Sequence, residues 1–234
     1  GEDMSFRFPV VPGQRGLATA RQLAAAGASD SALRHLTRTG HRVARNVYAA
    51  AGGPLPEASR LVAGSLWAGE RAVLTGVHAL VVHGVDPGRT PALVRFLVPD
   101  TCRTRRSAMG FVTVRTKRMP SSQVRGLVRL APIERALVDA GLLRELTERE
   151  LQACTLAILQ ERRSLPDRIA HEIARTRLAS GGGVIEGVLA YRLGAWSPPE
   201  ALLTDAVRGC STLPVMLANP ELATGDGRHI GHPD

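Results

Sequence analysis

The stretch GLATARQLAAAGASDSALRHLTRTGHRVARNVYA, residues 16–49, decides how the N-terminal part of the chain folds. Thr19 and Gln22 match a capping box, in which the threonine hydroxyl accepts from the amide three residues on and the glutamine side chain reaches back. Gly27 can adopt the left-handed conformation that ends a helix, and Ser29 offers the N-cap of the next one. The spacing therefore predicts two short helices joined by a tight turn, as in a helix-turn-helix.

The second of these helices carries a polar and basic stripe. Leu33 and Leu36 point to one side, while four polar residues recur at i, i+3, i+4 and i+7 on the other. The four are Ser31, Arg34, His35 and Arg38. A recognition helix in a DNA major groove presents such a stripe, and so does an ordinary amphipathic surface helix. The stripe alone leaves both interpretations open.

A short ribbon is expected directly after the second helix. Gly40 closes that helix, and residues 41–48 alternate well enough for two strands around Arg45-Asn46, where asparagine tolerates the positive φ of a tight turn. We predict that Arg42 and Arg45 of this ribbon contact DNA phosphates. Arg21, on the first helix, is a further candidate for DNA contact.

The positive charge of the chain is concentrated in two blocks. The 234 residues include 30 Lys plus Arg and 21 Asp plus Glu, a net charge of +9, and 44% are hydrophobic, which is typical of ordinary globular domains. Residues 1–50 hold 7 basic and 3 acidic side chains, and residues 92–131 hold 9 and 1. Clustered positive charge favours a polyanionic partner. The 2 Trp, 2 Tyr and 4 Phe form no cluster, which argues against a base-stacking platform for single strands.

The middle of the chain is expected to combine helices and strands. Helical spacing predicts helices over 57–68 and 72–82. The side chains of His78 and His83, five residues apart on such a helix, would point in different directions. We therefore expect hydrogen-bonded core histidines rather than metal ligands. Alternation predicts strands over 93–98 and 111–118, joined as a basic hairpin, with a further strand over 128–130. This hairpin would contact nucleic acid or an acidic protein partner, or it would simply be solvated. Its basic residues are Arg95, Arg103, Arg105, Arg106, Arg115, Lys117 and Arg118.

The remaining part of the chain is expected to be mainly helical. A helix begins after Pro132, which the first turn tolerates, and others follow over 142–160, over 166–179 and from residue 184. Arg135 and Asp139 are four residues apart on the first of them. That spacing predicts a structural salt bridge, so we assign neither residue a catalytic role.

Residues 16–23, Ser29, residues 31–34, Gly40 and residues 47–49 resemble the N-terminal winged helix of AbiEi-like antitoxins, the regulators of type IV toxin-antitoxin (abortive infection) systems. Residues 133–139 resemble part of the second domain of that family. The resemblance implies a mostly helical α+β fold, in which a winged helix-turn-helix precedes an α/β antitoxin-type domain. It implies an autorepressor that binds double-stranded DNA at its own promoter and opposes a nucleotidyltransferase-like toxin.

The C-terminal segment supports a different function. Glu186 and the closing Pro233-Asp234 resemble the first half of a Vsr-like nuclease of the PD-(D/E)xK class, so the alternative is a metal-dependent nuclease targeted by the winged helix. Such enzymes need a second acidic residue and a lysine after the aspartate. Nothing follows Asp234 in this sequence, and the one lysine, Lys117, lies far upstream. We therefore predict no enzyme activity, no catalytic residue, no metal and no cofactor.

These observations predict three segments and a location. A winged helix-turn-helix is expected over 1–53, an antitoxin-type α/β domain over 54–170, and a partial or degenerate nuclease-like segment over 171–234. Because no run of 18 apolar residues and no basic, apolar leader occurs, neither a membrane span nor secretion is expected. The cysteines are odd in number and far apart, which is typical of free thiols in the cytoplasm. They are Cys102, Cys154 and Cys210.

Overall fold

A computed structural model of the chain describes residues 6–176, 182–191, 207, 222–223 and 229–231. The chain has mixed helical and strand content, which confirms the α+β class. It divides into two compact units, each made of two chain segments. The first comprises Gly1–His78 with Pro91–Pro132, and the second comprises Ala79–Thr90 with Ile133–Asp234. These units do not coincide with the three segments expected from the sequence, because each one combines residues distant along the chain.

The first unit begins with a small antiparallel sheet that holds two helices. Its elements are β1 (Leu17–Thr19), α1 (Ala20–Ala25), α2 (Asp30–Arg38), β2 (Arg42–Ala44) and β3 (Val47–Ala49). The strand order is β1-β3-β2. The capping box at Thr19 and Gln22, the Ser29 cap and the tight turn at Asn46 (φ 63°) confirm the local predictions. Strand β1 was not expected, because three residues before a helix cap carry no alternation that could reveal it.

A five-stranded sheet forms the rest of the first unit. Its strands are β4 (Val73–Thr75), β5 (Val94–Pro99), β6 (Phe111–Thr116), β7 (Gln123–Arg125) and β8 (Val128–Leu130), in the order β6-β5-β4-β8-β7. Helix α3 (Glu57–Ala68) has the bounds predicted for it and contacts strands of both sheets. It approaches the five-stranded sheet at Gly64, where a Cβ would lie 2.7 Å from the ring of Phe96. Glycine therefore sets the distance between the helix and the sheet.

The prediction of one helix over 72–82 was wrong. Its first part is the central strand β4, which pairs antiparallel with β5 and parallel with β8, and only Gly76–Val82 is helical (α4). Residues 72–80 are all buried, and a fully buried apolar run looks the same to periodicity in either conformation. Gly76, at φ 67°, makes the break between strand and helix.

The expected basic hairpin was also wrong, because β5 and β6 are parallel, paired from Val94↔Phe111 to Pro99↔Thr116. The connection, residues 100–110, runs back along the sheet to the end at which β5 begins. Its last part lies antiparallel to β6, with the Ser107 amide donating to the Phe111 carbonyl at 2.8 Å. Alternation is the same for parallel and antiparallel strands, so it could not reveal this direction.

Within the described residues, the second unit contains residues 79–82 of α4 and four further helices. They are α5 (Ile133–Leu142), α6 (Glu148–Gln160), α7 (Pro166–Thr176) and α8 (Gly182–Tyr191). Helix α5 contacts the other three, and α8 contacts both α6 and α7. The short strands β9 (Leu222–Ala223) and β10 (His229–Gly231) pair antiparallel. No helix in the described ranges combines the length and apolar character needed to cross a membrane.

Buried charges join two helices of the second unit. The Arg135 Nε donates to the Asp139 Oδ1 at 2.8 Å, which confirms the predicted salt bridge within α5. The same nitrogen lies 3.8 Å from the Glu172 Oε1 of α7. Arg135, Asp139 and Glu172 are 6%, 2% and 9% exposed. The Arg135 guanidinium thus lies between two buried carboxylates, which explains the pair as part of the packing of α5 against α7.

Candidate nucleic-acid interface

Helix α2 is held at both ends by its own sequence and lies on the surface. The Ser29 hydroxyl accepts from the Ala32 amide at 3.2 Å, and Asp30 adds a negative charge in the first turn, where the helix dipole favours it. None of its residues is buried. Leu33 and Leu36 are partly buried against a small core that includes Leu23. The helix is therefore anchored by one narrow apolar edge, and the rest of its circumference is free for contact.

The polar stripe of α2 is exposed along its whole length. Ser31, Arg34, His35 and Arg38 are all exposed. The Arg38 guanidinium donates to the His35 Nδ1 at 3.2 Å, and because a guanidinium has no acceptor, that Nδ1 must be the unprotonated nitrogen. Neither Arg34 nor Arg38 forms a salt bridge with a carboxylate in the described part of the chain. Their charge is consequently available to an anionic partner.

The ribbon β2–β3 presents two of its basic residues to solvent. Arg42 and Arg45 are exposed, as is Arg21 on α1. His41 has another role, since its Nδ1–H donates to the Ala49 carbonyl at 2.9 Å across the ribbon. The turn is fixed to the helix pair by the Ala20 amide, which donates to the Asn46 carbonyl at 2.9 Å. The ribbon and helix α1 therefore form one continuous piece of structure.

The second basic block divides into engaged and exposed side chains. The Arg105 guanidinium donates to the Ala68 carbonyl at 2.7 Å and lies 5.0 Å above the Trp67 ring. It thus links the crossover, the β5–β6 connection over residues 100–110, to α3. Arg95 and Arg118 are partly buried and also have interactions within the chain. Of the seven cations predicted for the hairpin, those that are exposed and form no described hydrogen bond or ion pair are Arg103, Arg106, Arg115 and Lys117. These four are accessible to a partner, as is Arg125 on β7, which lies in the same block.

A cleft in the first unit was not anticipated from the sequence. It has a volume of about 830 Å³ and is lined by residues of α1, the ribbon turn, the end of α3 and the β7–β8 turn. Its polar and charged lining includes Gln14, Arg21, Asn46, Glu70 and Arg129. Of these, the sequence had singled out Arg21 as a DNA-contact candidate and Asn46 as a turn residue, but nothing in it indicated that the five line one cleft, because they come from separate parts of the chain.

His78 is buried as predicted, but it is not hydrogen-bonded. It is 2% exposed, and neither ring nitrogen has a hydrogen-bond partner within the described residues. Burial, together with the positive charges of Arg60 and Arg95, lowers the pKa of His78 to about 4. The His78 Nε2 is 3.5 Å from the Glu57 Oε1, yet at this pKa the imidazole is neutral near pH 7, so the contact is not an ion pair there. His83 is partly buried on the following turn.

The residues expected for a vestigial nuclease are not brought together in the described structure. Glu186 is exposed on α8, and Asp234 lies outside the described residues. Within those residues no group of three or more His, Cys, Asp or Glu side chains could hold a metal ion. Cys102 is an exposed free thiol and Cys154 a buried one, whose pKa burial raises to about 11; Cys210 lies outside the described residues.

No protein-family model matches this chain, and no curated protein matches it.

Proposed function

We propose that the chain is a sequence-specific DNA-binding autorepressor and the antitoxin of a type IV toxin-antitoxin system, with no enzyme activity of its own. In this proposal β1, α1, α2 and the ribbon β2–β3 form a winged helix-turn-helix, and α2 is the recognition helix. The antitoxin part rests on the resemblance of residues 16–49 and 133–139 to AbiEi-like regulators. The proposed toxin is nucleotidyltransferase-like.

The observation that carries the proposal is the exposed, uncompensated stripe of α2. A helix of this kind fits the major groove, where arginine pairs with guanine and shorter polar side chains contact other base edges. Arg34 and Arg38 are the candidates for guanine, and Ser31 and His35 for neighbouring base edges or phosphates. The helix that carries them has no buried residue, so docking on DNA would not disturb the core.

The arrangement around α2 supports the same proposal. Strand β1 leads into α1, and β3 lies between β1 and β2, so that the ribbon follows the second helix as the wing does in winged-helix proteins. Residues 6–16 form no helix, so no helix precedes β1 in this stretch. Helix α3 contacts all three strands of the small sheet, so a third helix packs on this sheet in addition to α1 and α2. Arg42 and Arg45 on the ribbon are the proposed phosphate contacts.

The exposed part of the second basic block is proposed as a further anion-binding surface. Arg103, Arg106, Arg115 and Lys117 would contact either flanking DNA phosphates or an acidic surface of the toxin. Charge reversal of Arg106 and Arg115 distinguishes these partners. Loss of toxin neutralisation with unchanged promoter affinity favours the toxin, and the opposite result favours DNA.

The test of DNA recognition is an anisotropy titration of the full chain against the duplex upstream of its own gene and against a shuffled duplex. We expect tighter binding to the promoter, and a loss of about 5- to 150-fold for each base contact removed in Arg34→Ala with Arg38→Ala. Arg149→Ala with Arg168→Ala removes the same charge from exposed sites in the second unit and serves as the control. Equal affinity for both duplexes, or equal effects of the two double variants, rejects specific recognition.

The test of the antitoxin role is co-expression with the product of the adjacent gene. We expect that product to inhibit growth alone and that this chain relieves the inhibition. Relief should persist in Arg34→Ala with Arg38→Ala when both genes are expressed from unrelated promoters, because autoregulation is then bypassed. An adjacent product without toxicity, or toxicity that the chain does not relieve, contradicts the antitoxin role.

A further inference from the structure

We propose that the cleft lined by Gln14, Arg21, Asn46, Glu70 and Arg129 binds a small zwitterionic compound of the amino acid class. The cleft lies wholly in the first unit, between α1, the turn of the ribbon, the C-terminal end of α3 and the β7–β8 turn. Its volume of about 830 Å³ falls in the range of small-molecule sites, roughly 300–1,000 Å³. The room is sufficient for an amino acid with any side chain.

The clearest sign of a missing ligand is Gln14, one of the residues that line the cleft. Gln14 is only 5% exposed, and its Oε1 has no hydrogen-bond partner among the described residues. Buried amide oxygens are nearly always hydrogen-bonded, because an unmade hydrogen bond costs the group its lost hydration. In the proposed complex the Gln14 side chain turns this oxygen toward the ligand, which must then carry an N–H or O–H group to satisfy it.

The charges around the cleft define the rest of the ligand. Arg21 and Arg129 contribute guanidinium groups, and Glu70 contributes a carboxylate. The Arg129 Nε already donates to the Glu70 carbonyl at 2.9 Å, which holds this arginine at the wall while its terminal nitrogens stay available. A carboxylate suits the guanidinium groups, and an ammonium group suits Glu70 and the Gln14 oxygen. Both together on one small molecule make an amino acid zwitterion.

The lining also disfavours a nucleotide. Its apolar members are small or aliphatic, namely Ala20, Ala25, Leu66, Ala72 and Leu127, and none of the lining residues is aromatic. A base could stack here only on the guanidinium planes of Arg21 and Arg129, which the proposal assigns to the ligand carboxylate. An aliphatic wall instead suits the side chain of an amino acid.

The position of the cleft suggests what its occupation does. The cleft is bordered by α1 and by Asn46 of the ribbon turn, two elements already joined by the Ala20–Asn46 hydrogen bond. A bound ligand would join them to α3 and the β7–β8 turn as well. Resting on the proposed function, we infer that the ligand alters promoter affinity by fixing the ribbon relative to the rest of the unit.

The binding test uses the full chain and each standard L-amino acid as the probe, with saturation-transfer NMR to detect binding and calorimetry to measure it. We expect one or a few amino acids to bind, and Gln14→Met and Glu70→Gln to weaken binding about tenfold or more. The first removes a hydrogen-bond acceptor for the ligand ammonium group, and the second removes the negative charge that faces it. Gln123→Met, an exposed position on β7, is the matched control and should bind as the unchanged chain does. Glu70 is exposed, so Glu70→Gln tests the site even if Gln14→Met fails to fold.

Two results would overturn the proposal: no amino acid binds, or binding is equal in the two cleft variants and the control. Mononucleotides or simple dicarboxylates that bind when amino acids do not would likewise reject this ligand class. The site and the proposed function can fail separately. Amino acid binding that is lost in both cleft variants supports the site even if the chain shows no affinity for its promoter.

Discussion

Gly64 of α3 lies so close to Phe96 of β5 that a Cβ at position 64 would come within 2.7 Å of the phenyl Cε2 and Cζ. The Phe96 ring is fully buried and cannot move aside freely. A second ring, that of Phe111 on β6, would lie 3.2 Å from the same Cβ. The contact between α3 and the five-stranded sheet therefore depends on the absence of a side chain at this position.

This contact predicts that Gly64→Ala destabilises the chain by about 1–3 kcal/mol, because overpacking displaces buried rings. Helix propensity alone would predict the opposite sign, since alanine is favoured over glycine by about 1 kcal/mol. The control is Gly187→Ala on α8, where nothing lies within 4 Å of an added Cβ. Urea unfolding should show a loss for Gly64→Ala and no loss for Gly187→Ala. Equal stabilisation by both would contradict the close contact.

The buried His78 predicts acid sensitivity. Its pKa is about 4 in the folded chain against an ordinary value of 6.5, so the unfolded chain takes up the proton first as the pH falls. This contribution is fully present above about pH 6.5 and is lost as the pH falls toward 4, by about 3 kcal/mol in all. In His78→Leu the slope of stability against pH across this window should decrease. In the control His35→Gln, at an exposed position, the slope of stability against pH should stay larger than in His78→Leu. Equal slopes in the two variants would disprove that His78 causes the acid sensitivity.

The buried charges of the second unit predict an asymmetric response to mutation. Arg135→Met leaves the Asp139 and Glu172 carboxylates buried without their guanidinium, which should cost about 3–5 kcal/mol. Arg149→Met on the exposed face of α6 should change stability by less than about 0.5 kcal/mol. Adding Asp139→Leu to Arg135→Met should recover part of the loss, since it removes one of the two buried carboxylates that face the missing guanidinium. Unfolding in urea measures the stability of all three variants. A double variant less stable than Arg135→Met would contradict the view that uncompensated buried charge causes the loss.

Neighbouring arginines of the crossover should respond in opposite ways. Arg105 packs over Trp67 and donates to the Ala68 carbonyl, so Arg105→Ala should cost about 1–2 kcal/mol of stability. Arg106 is exposed, so Arg106→Ala should leave stability nearly unchanged and weaken binding of a polyanion such as heparin. Melting temperature and heparin retention together separate the two roles. If both variants lost stability equally, the division into engaged and exposed cations would be wrong.

Local features were well predicted because each depends on residues within one helical turn or one tight turn. The capping box at Thr19, the Ser29 cap, the positive φ of Asn46 and the Arg135–Asp139 pair all involve partners at most four residues apart. The side-chain chemistry of those few residues is enough to decide them. The exposure of the α2 stripe followed from the same local periodicity.

The fates of the second basic block and of the cleft could not be predicted in this way. The seven cations predicted for the hairpin look equivalent in the sequence, yet the Arg105 guanidinium donates to the Ala68 carbonyl of α3, 37 residues away, whereas the Arg106 side chain forms no described hydrogen bond. Gln14 and Arg129 meet at one cleft only because separate parts of the chain pack together. Nothing near either residue in the sequence signals that meeting.

By itself the sequence determined the caps, the turns, the helical stripe of α2 and the separation of charge into two blocks, because these depend on short-range hydrogen bonding and periodicity. Only the tertiary structure decided that residues 73–75 are a central strand rather than part of a helix, and that β5 and β6 are parallel. The physical reason is that strand pairing satisfies backbone hydrogen bonds between segments far apart in sequence. Alternation and apolar runs are compatible with several such pairings, and only packing selects one of them.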